Sequence, residues 1–188
     1  MSEVGIEELG ALVGPVAEAA EGFAPFTVEG GARLLRRLLG VARGIRLTDK
    51  EVPYGRYLIH ADPAGRFNLQ LDVFSRDYVG GVHAHDTWGM FFVLRGALYV
   101  EDWQEIDGRV RLCRSGYAGA GGGQAFGPPW SDWHRVSTDG EGPQTVSVHI
   151  YGAGFDLDTG RGLDAQGEPR SYRRGPFGDP ARLAGLFA

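Results

Sequence analysis

Between positions 50 and 151 the chain is cut into short stretches in which apolar residues recur at every second position, and nothing else in the sequence constrains the fold as strongly. The segment 67–74, FNLQLDVF, is the clearest case. Successive side chains of an extended strand point to opposite sides, so Phe67, Leu69, Leu71 and Val73 share one face. Further strands are expected over 54–59, 89–94, 97–103, 109–113, 124–126, 134–137 and 145–151. Asp62-Pro63, Arg95-Gly96, Asp107-Gly108 and Asp139-Gly140 supply turns between them. Many short strands at regular spacing predict an antiparallel barrel or sandwich.

The flanks read differently. Residues 6–20 and 29–43 predict two helices, the second with Leu34, Leu35, Leu38, Leu39 and Val41 in one apolar stripe. Six glycines in the twelve positions 116–127 predict a loop, and the Gly-, Asp- and Arg-rich segment after Gly152 predicts a tail over the surface, with a last helical turn in 180–188. The expected layout is one domain: a helical segment 1–46, a barrel 50–153 and a wrapping tail 154–188, a single-domain size for 188 residues.

Composition excludes several functions. A net charge of −5 argues against nonspecific nucleic-acid binding, and no apolar run approaches 18 residues, so no membrane partner is expected. The start, Met1-Ser-Glu-Val4, lacks a basic region followed by an apolar one, which predicts a cytoplasmic protein, read here as an acidic monomer. Cys113 is the single cysteine, so an internal disulfide and a Cys-rich zinc site are ruled out.

Chemistry is therefore sought among five histidines: His60, His83, His85, His134 and His149. His83 and His85, two apart in a strand-like segment, project on one face as a two-point metal clamp. His134 lies in another strand-like segment about fifty residues later, and Ser147, His149 and Tyr151 alternate along a third so that all three point the same way. Tyr54 and Arg56 likewise share a face. A buried guanidinium needs an anion, which is either a substrate carboxylate or a protein carboxylate such as Asp72. Trp88, Trp130 and Trp133 flank the histidines as pocket walls or as core, and His60 stays on the Arg56 face unless the strand is bulged.

The pattern His83-x-His85, three residues, Gly89, six residues, Gly96 resembles the first cupin motif with Gly89 where glutamate is usual. Pro129-x-Ser131-x-x-His134-x-x-x-Thr138 resembles the second. More specifically, residues 54–62, 66–68, 83–89, 93–96, 134–137 and 146–152 match, in order and interval, the thiol dioxygenases, that is, cysteine dioxygenase and the 3-mercaptopropionate dioxygenases. That resemblance implies a mainly β cupin double-stranded β-helix (a jelly-roll barrel) with two N-terminal α-helices. It implies Fe(II) held by His83, His85 and His134, a catalytic trio of Tyr151, His149 and Ser147, and a small thiol acid bound through Arg56 and Tyr54 and oxidised by O2 to a sulfinate. Gly89 stands where the mammalian-type enzyme carries its cross-linked cysteine, so no Cys–Tyr cross-link is expected. Arg161 falls roughly where the 3-mercaptopropionate enzymes carry a carboxylate-binding arginine. Two other readings stay open: a cupin dioxygenase cleaving a diketone-like substrate, and a non-catalytic module that binds a small acid.

Overall fold

The computed structural model describes residues 4–21, 27–127 and 133–188. Three helices lead: α1 (Val4–Gly10), α2 (Val13–Glu21) and α3 (Val28–Ala42). The first expected helix is divided because Ala11 and Leu12 donate to carbonyls only three residues back, a tightened turn that re-aims the chain. Thr27 opens α3 by accepting from the Gly30 amide at 3.0 Å, and Leu34, Leu35, Leu38 and Ala42 form its buried stripe.

Eleven strands follow: β1 (Gly55–Ala61), β2 (Phe67–Val73), β3 (His83–Ala84), β4 (Gly89–Arg95), β5 (Ala97–Ile106), β6 (Arg109–Gly119), β7 (Gly123–Phe126), β8 (Trp133–Ser137), β9 (Val146–Gly152), β10 (Thr159–Leu163) and β11 (Pro169–Arg173). They form two antiparallel sheets, ordered β1-β2-β9-β4-β7 and β11-β10-β3-β8-β5-β6. With β1 and the outermost pair β10 and β11 set aside, the orders 2-9-4-7 and 3-8-5-6 are those of a jelly roll, so the fold is mainly β with helices before the barrel.

All seven residues of β2 and of β9 are buried, because both faces of the five-stranded sheet are covered. Leu69, Leu71, Val73, Met90, Phe92, Val146, Val148 and Ile150 face outward onto the helices, in one core with Leu9, Leu12, Val16 and Leu38. The inward face carries Phe91, Val93 and Tyr151, which pack between the sheets with Leu98, Val100, Phe126 and Val136. The same alternation turns Asn68, Gln70 and Asp72 of β2, and Ser147 and His149 of β9, toward the inside.

The expected Gly-rich loop at 116–127 is instead the end of β6, a turn, and β7. β6 is an exposed edge strand, where glycine needs no packing partner. The expected surface tail is likewise corrected: it forms the hairpin β10–β11, which pairs with β3 and extends the second sheet. A 3₁₀ turn, Pro180–Leu183, stands where the last helical turn is expected.

Candidate metal centre

His83 in β3 and His134 in β8 are directly opposite one another across the sheet. His85 follows just beyond β3, where Asp86, with φ of 59°, turns the chain away. The three rings lie 4.5 to 4.8 Å apart, centroid to centroid. His83 Nδ1 donates to the Gly81 carbonyl at 2.9 Å, which leaves Nε2 free to face the others. His85 Nε2 and His134 Nε2 are 3.2 Å apart, and one ligand nitrogen from each ring lies within 4.8 Å of the other two. Bonds of about 2.1 Å at ordinary coordination angles would space two nitrogens about 3.0–3.4 Å apart, so the His85–His134 edge already fits a divalent ion. Burial, above all, holds His83 down to about 4 and His85 and His134 well below the ordinary imidazole range. All three are thus neutral near pH 7, the form that ligates a metal.

No carboxylate joins this group among the described residues. At Gly89 a Cβ would come within 2.6 Å of the Phe126 ring and 3.0 Å of the Tyr151 ring. Register explains the crowding: Gly89 is flanked by Phe126 on one side and Tyr151 on the other. Aromatic rings therefore fill the space a longer side chain would need, and the donor set is three neutral imidazoles. Such a set suits Fe(II), Zn, Cu or Ni and leaves the ion its full charge and open positions.

Beside the rings runs a polar chain. Ser147 Oγ lies 2.8 Å from His149 Nε2, and His149 Nδ1 lies 3.2 Å from Tyr151 Oη. The Tyr151 ring stacks on Phe155 at 4.0 Å and lies 4.5 Å from the His85 ring, so the phenol sits at the three-histidine cluster. Burial pushes Tyr151 far above its ordinary pKa and lowers that of His149, so both are neutral. In the tautomer in which the Ser147 hydroxyl donates to Nε2, Nδ1–H donates to the phenol oxygen, and the phenol's own proton is directed elsewhere.

His83, His85, His134, His149 and Tyr151 line one cavity of about 600 Å³. Arg56 and Tyr54 line it too, although Tyr54 precedes β1 and is mostly exposed. Arg56 faces Asp72 across β1 and β2 but makes no ion pair with it. It donates instead to the Gly175 carbonyl at 2.5 Å and stacks on Phe177. Asp72 is buried, its Oδ1 has no partner among the described residues, and its Oδ2 is 3.7 Å from His149 Nε2. Burial raises its pKa.

No family model matches the chain. Solved structures similar to it include an RmlC-like cupin protein from Ralstonia eutropha JMP134, with 16% identity over 63% of this chain and 65% of that one, at a TM-score of 0.38. KdgF from a Halomonas species aligns at 20% identity over 55% of this chain and 84% of its own, with a TM-score of 0.37. Oxalate decarboxylase aligns at 14% identity over 55% of this chain, with a TM-score of 0.42. The chain spans a little under two thirds of the length of the first and 27% of the last. At these values the likeness says nothing about activity.

Sequence reasoning missed the hairpin's share of the site. Arg170 and Tyr172 of β11, and Arg174 just after it, line the cavity, as does Tyr78. Arg161 does not. It pairs with Asp86 at 2.7 Å and stacks over Trp133, which is buried away from the cavity wall. Trp88 packs in the outer core, close against Gly152. A bulge between Leu58 and His60 shifts the register of β1 and turns His60 out of the cavity, onto Phe67. Cys113 is exposed on β6. Trp130, Pro129 and Ser131 lie outside the described residues.

Proposed function

We propose that this protein is an Fe(II)-dependent thiol dioxygenase that converts a small thiol carboxylic acid to its sulfinate. The observation that carries the reading is the junction at Tyr151: one phenol held by Ser147 and His149 and set against a three-histidine cluster whose fourth position, Gly89, cannot hold a carboxylate. A donor set without an anion calls for an anionic partner, and a thiolate is one. The reaction closes on its own atoms: sulfur gives up four electrons, both oxygens of O2 take two each, and the thiol proton is released.

Iron(II) held by His83, His85 and His134 would supply the centre where thiolate and O2 meet and would make the thiol more acidic. The chain's own residues do the rest. Arg56 offers a guanidinium to the substrate carboxylate at the cavity wall. Tyr151 keeps its proton and donates it toward the reacting atoms, while His149 and Ser147 fix the direction of that donation. Phe126 and Phe155, packed on His85, keep water from the same space. The test is oxygen consumption by the iron-loaded protein with a panel of thiol acids, together with mass spectrometry of the product. A gain of two oxygen atoms on sulfur is expected, and no uptake with any thiol overturns the proposal.

A further inference from the structure

We infer that the cavity receives a ligand with two anionic groups, one held by Arg56 and the other by Arg174, so that the substrate is a thiol dicarboxylic acid. The thiol rests on the function proposed above; the two anionic stations do not.

Arg174 leaves the end of the β11 hairpin and is pinned before any ligand arrives. Its guanidinium stacks on Phe155 at 4.5 Å, and its Nε donates to the carbonyls of Asp156 and Thr159 at 3.1 and 2.7 Å. The terminal nitrogens are left with weak contacts. Nη1 is 3.4 Å from the Tyr172 hydroxyl, and Nη2 is 3.4 Å from His85 Nδ1. The second contact ends once His85 gives Nε2 to a metal, because the neutral ring then carries its proton on Nδ1 and accepts nothing there. Arg174 then presents an unfilled donor beside the metal cluster.

Arg56 is the other station. Its guanidinium is held by the Gly175 carbonyl and the Phe177 ring. Neither arginine has a carboxylate partner among the described residues, whereas Arg66, Arg114, Arg135 and Arg161 each pair with an Asp or Glu. The two charges overlap on the wall: both are felt by His83, Asp72 and Tyr151, while Arg174 alone is felt by His85 and His134 and Arg56 alone by His149 and Tyr54. Asp72, the one acid lining the cavity among the described residues, is turned toward His149 and driven by burial toward its neutral form. Three arginines line the wall, but Arg170 is exposed and screened by solvent, whereas Arg56 and Arg174 are half-buried. Two half-buried guanidinium charges in one partly enclosed space favour two anions, and a monocarboxylate leaves one of them unmet. About 600 Å³ leaves room for both carboxylates and the thiol.

The test is calorimetric titration of the full-length, zinc-loaded protein, which is redox-inert, with mercaptosuccinate, 3-mercaptopropionate and cysteine. Mercaptosuccinate is expected to bind at least about tenfold more tightly than 3-mercaptopropionate, the ratio a second charge-assisted hydrogen-bonded pair supplies. Arg56→Gln and Arg174→Gln should each reduce that ratio to near one, with circular dichroism and zinc content unchanged. Should Arg174→Gln disturb the fold, Arg174→Lys, which keeps the charge and loses the planar fork, is expected to lower the ratio in part. The inference fails if the two acids bind equally, if the advantage survives loss of Arg174, or if cysteine binds most tightly, an outcome that would make Asp72 the receptor of an ammonium group. Oxygen uptake separates the two readings. No uptake with any thiol alongside a preserved dicarboxylate preference removes the dioxygenase and keeps the two stations. Uptake without that preference does the reverse.

Discussion

Strand β9 shows two chemistries on its two sides. Val146, Val148 and Ile150 face the helices and are fully buried in an apolar core. Ser147, His149 and Tyr151, interleaved with them, turn to the inner side, where the last two line the cavity; all three are just as deeply enclosed, but their polar atoms are joined in a chain. One side can lower its free energy only by packing. The other holds polar groups that stay buried because each has a partner. The difference teaches that stability and chemistry are separable on this strand by position parity, and substitutions on either side should show it.

The largest effect is expected on the inner side. His85→Ala removes one of the three proposed ligands from a set with no spare among the described residues, so the protein should fail to retain metal on dialysis and lose the proposed oxygenase activity by at least about a thousandfold. Metal analysis after dialysis checks this, and stoichiometric metal in the variant would show that some other residue completes the centre. On the outer side, Ile150→Ala should cost about 2–5 kcal/mol of stability through lost burial and the cavity left behind, with metal content unchanged. Urea unfolding measures the first and metal analysis the second. A variant that lost metal without losing stability would break the parity rule.

Acid probes the inner side without any substitution. Burial lowers the pKa of His83, His85, His134 and His149, to about 4 for His83. Folded, the rings are neutral; unfolded, they take up protons near their ordinary 6.5. The unfolded chain therefore binds more protons than the folded one below about pH 6.5, so this contribution is whole above that pH and is lost as pH falls toward 4. Urea midpoints of the protein in chelator, measured from pH 8 to pH 4.5, should be level at first and then fall. A level curve throughout would mean that these rings are not held neutral by the fold. A smaller effect is expected for Ser147→Ala, which frees His149 to change tautomer and turn. Activity should fall about 10- to 100-fold, the range for a residue that orients another, while metal content stays the same. Rescue by Ser147→Thr, which keeps the hydroxyl, would mark the loss as one of orientation.

The barrel was legible in the sequence because alternation is a local signal that sheet packing then uses. Phe67, Leu69, Leu71 and Val73 fall on the helix-facing side as period 2 requires, and the parity of 147, 149 and 151 places those three inside. His83 and His85 were legible as one-face neighbours, although β3 is only two residues long. Three things were not. The bulge that turns His60 away inserts one residue into β1 and has no sequence mark. The crowding that closes Gly89 comes from rings on two other strands. The hairpin β10–β11 carries no apolar alternation, since TGRGL and PRSYR lie at the end of the sheet with little to bury, so Arg170, Tyr172 and Arg174 had no periodic signal to bring them to the cavity. Its turn did leave a trace: Asp164 accepts from the amides of Gln166 and Glu168, and Gly167 takes a positive φ, an Asp-x-x-Gly turn that could have been read as joining two strands.

The hairpin also sharpens the division between cavity and surface, because two of its arginines meet opposite fates. Arg161 lies in β10, and Arg174 directly follows β11 of the same ribbon. Arg174 turns into the cavity, whereas Arg161 pairs with Asp86 across the β10–β3 edge and covers Trp133. That ion pair is more than a third exposed on both sides, so it is screened and contributes at most about 1 kcal/mol, and the stacking on Trp133 adds about the same. Arg161→Gln should therefore lower stability only slightly and leave turnover within about twofold of the parent. Asp86 directly follows His85, so a disturbance transmitted through it would appear as weakened metal retention. Side-by-side assays of Arg161→Gln and Arg174→Gln at limiting substrate settle which arginine serves the ligand. A strong loss in the first and none in the second would move the anion station from the cavity wall to the outer edge of the sheet.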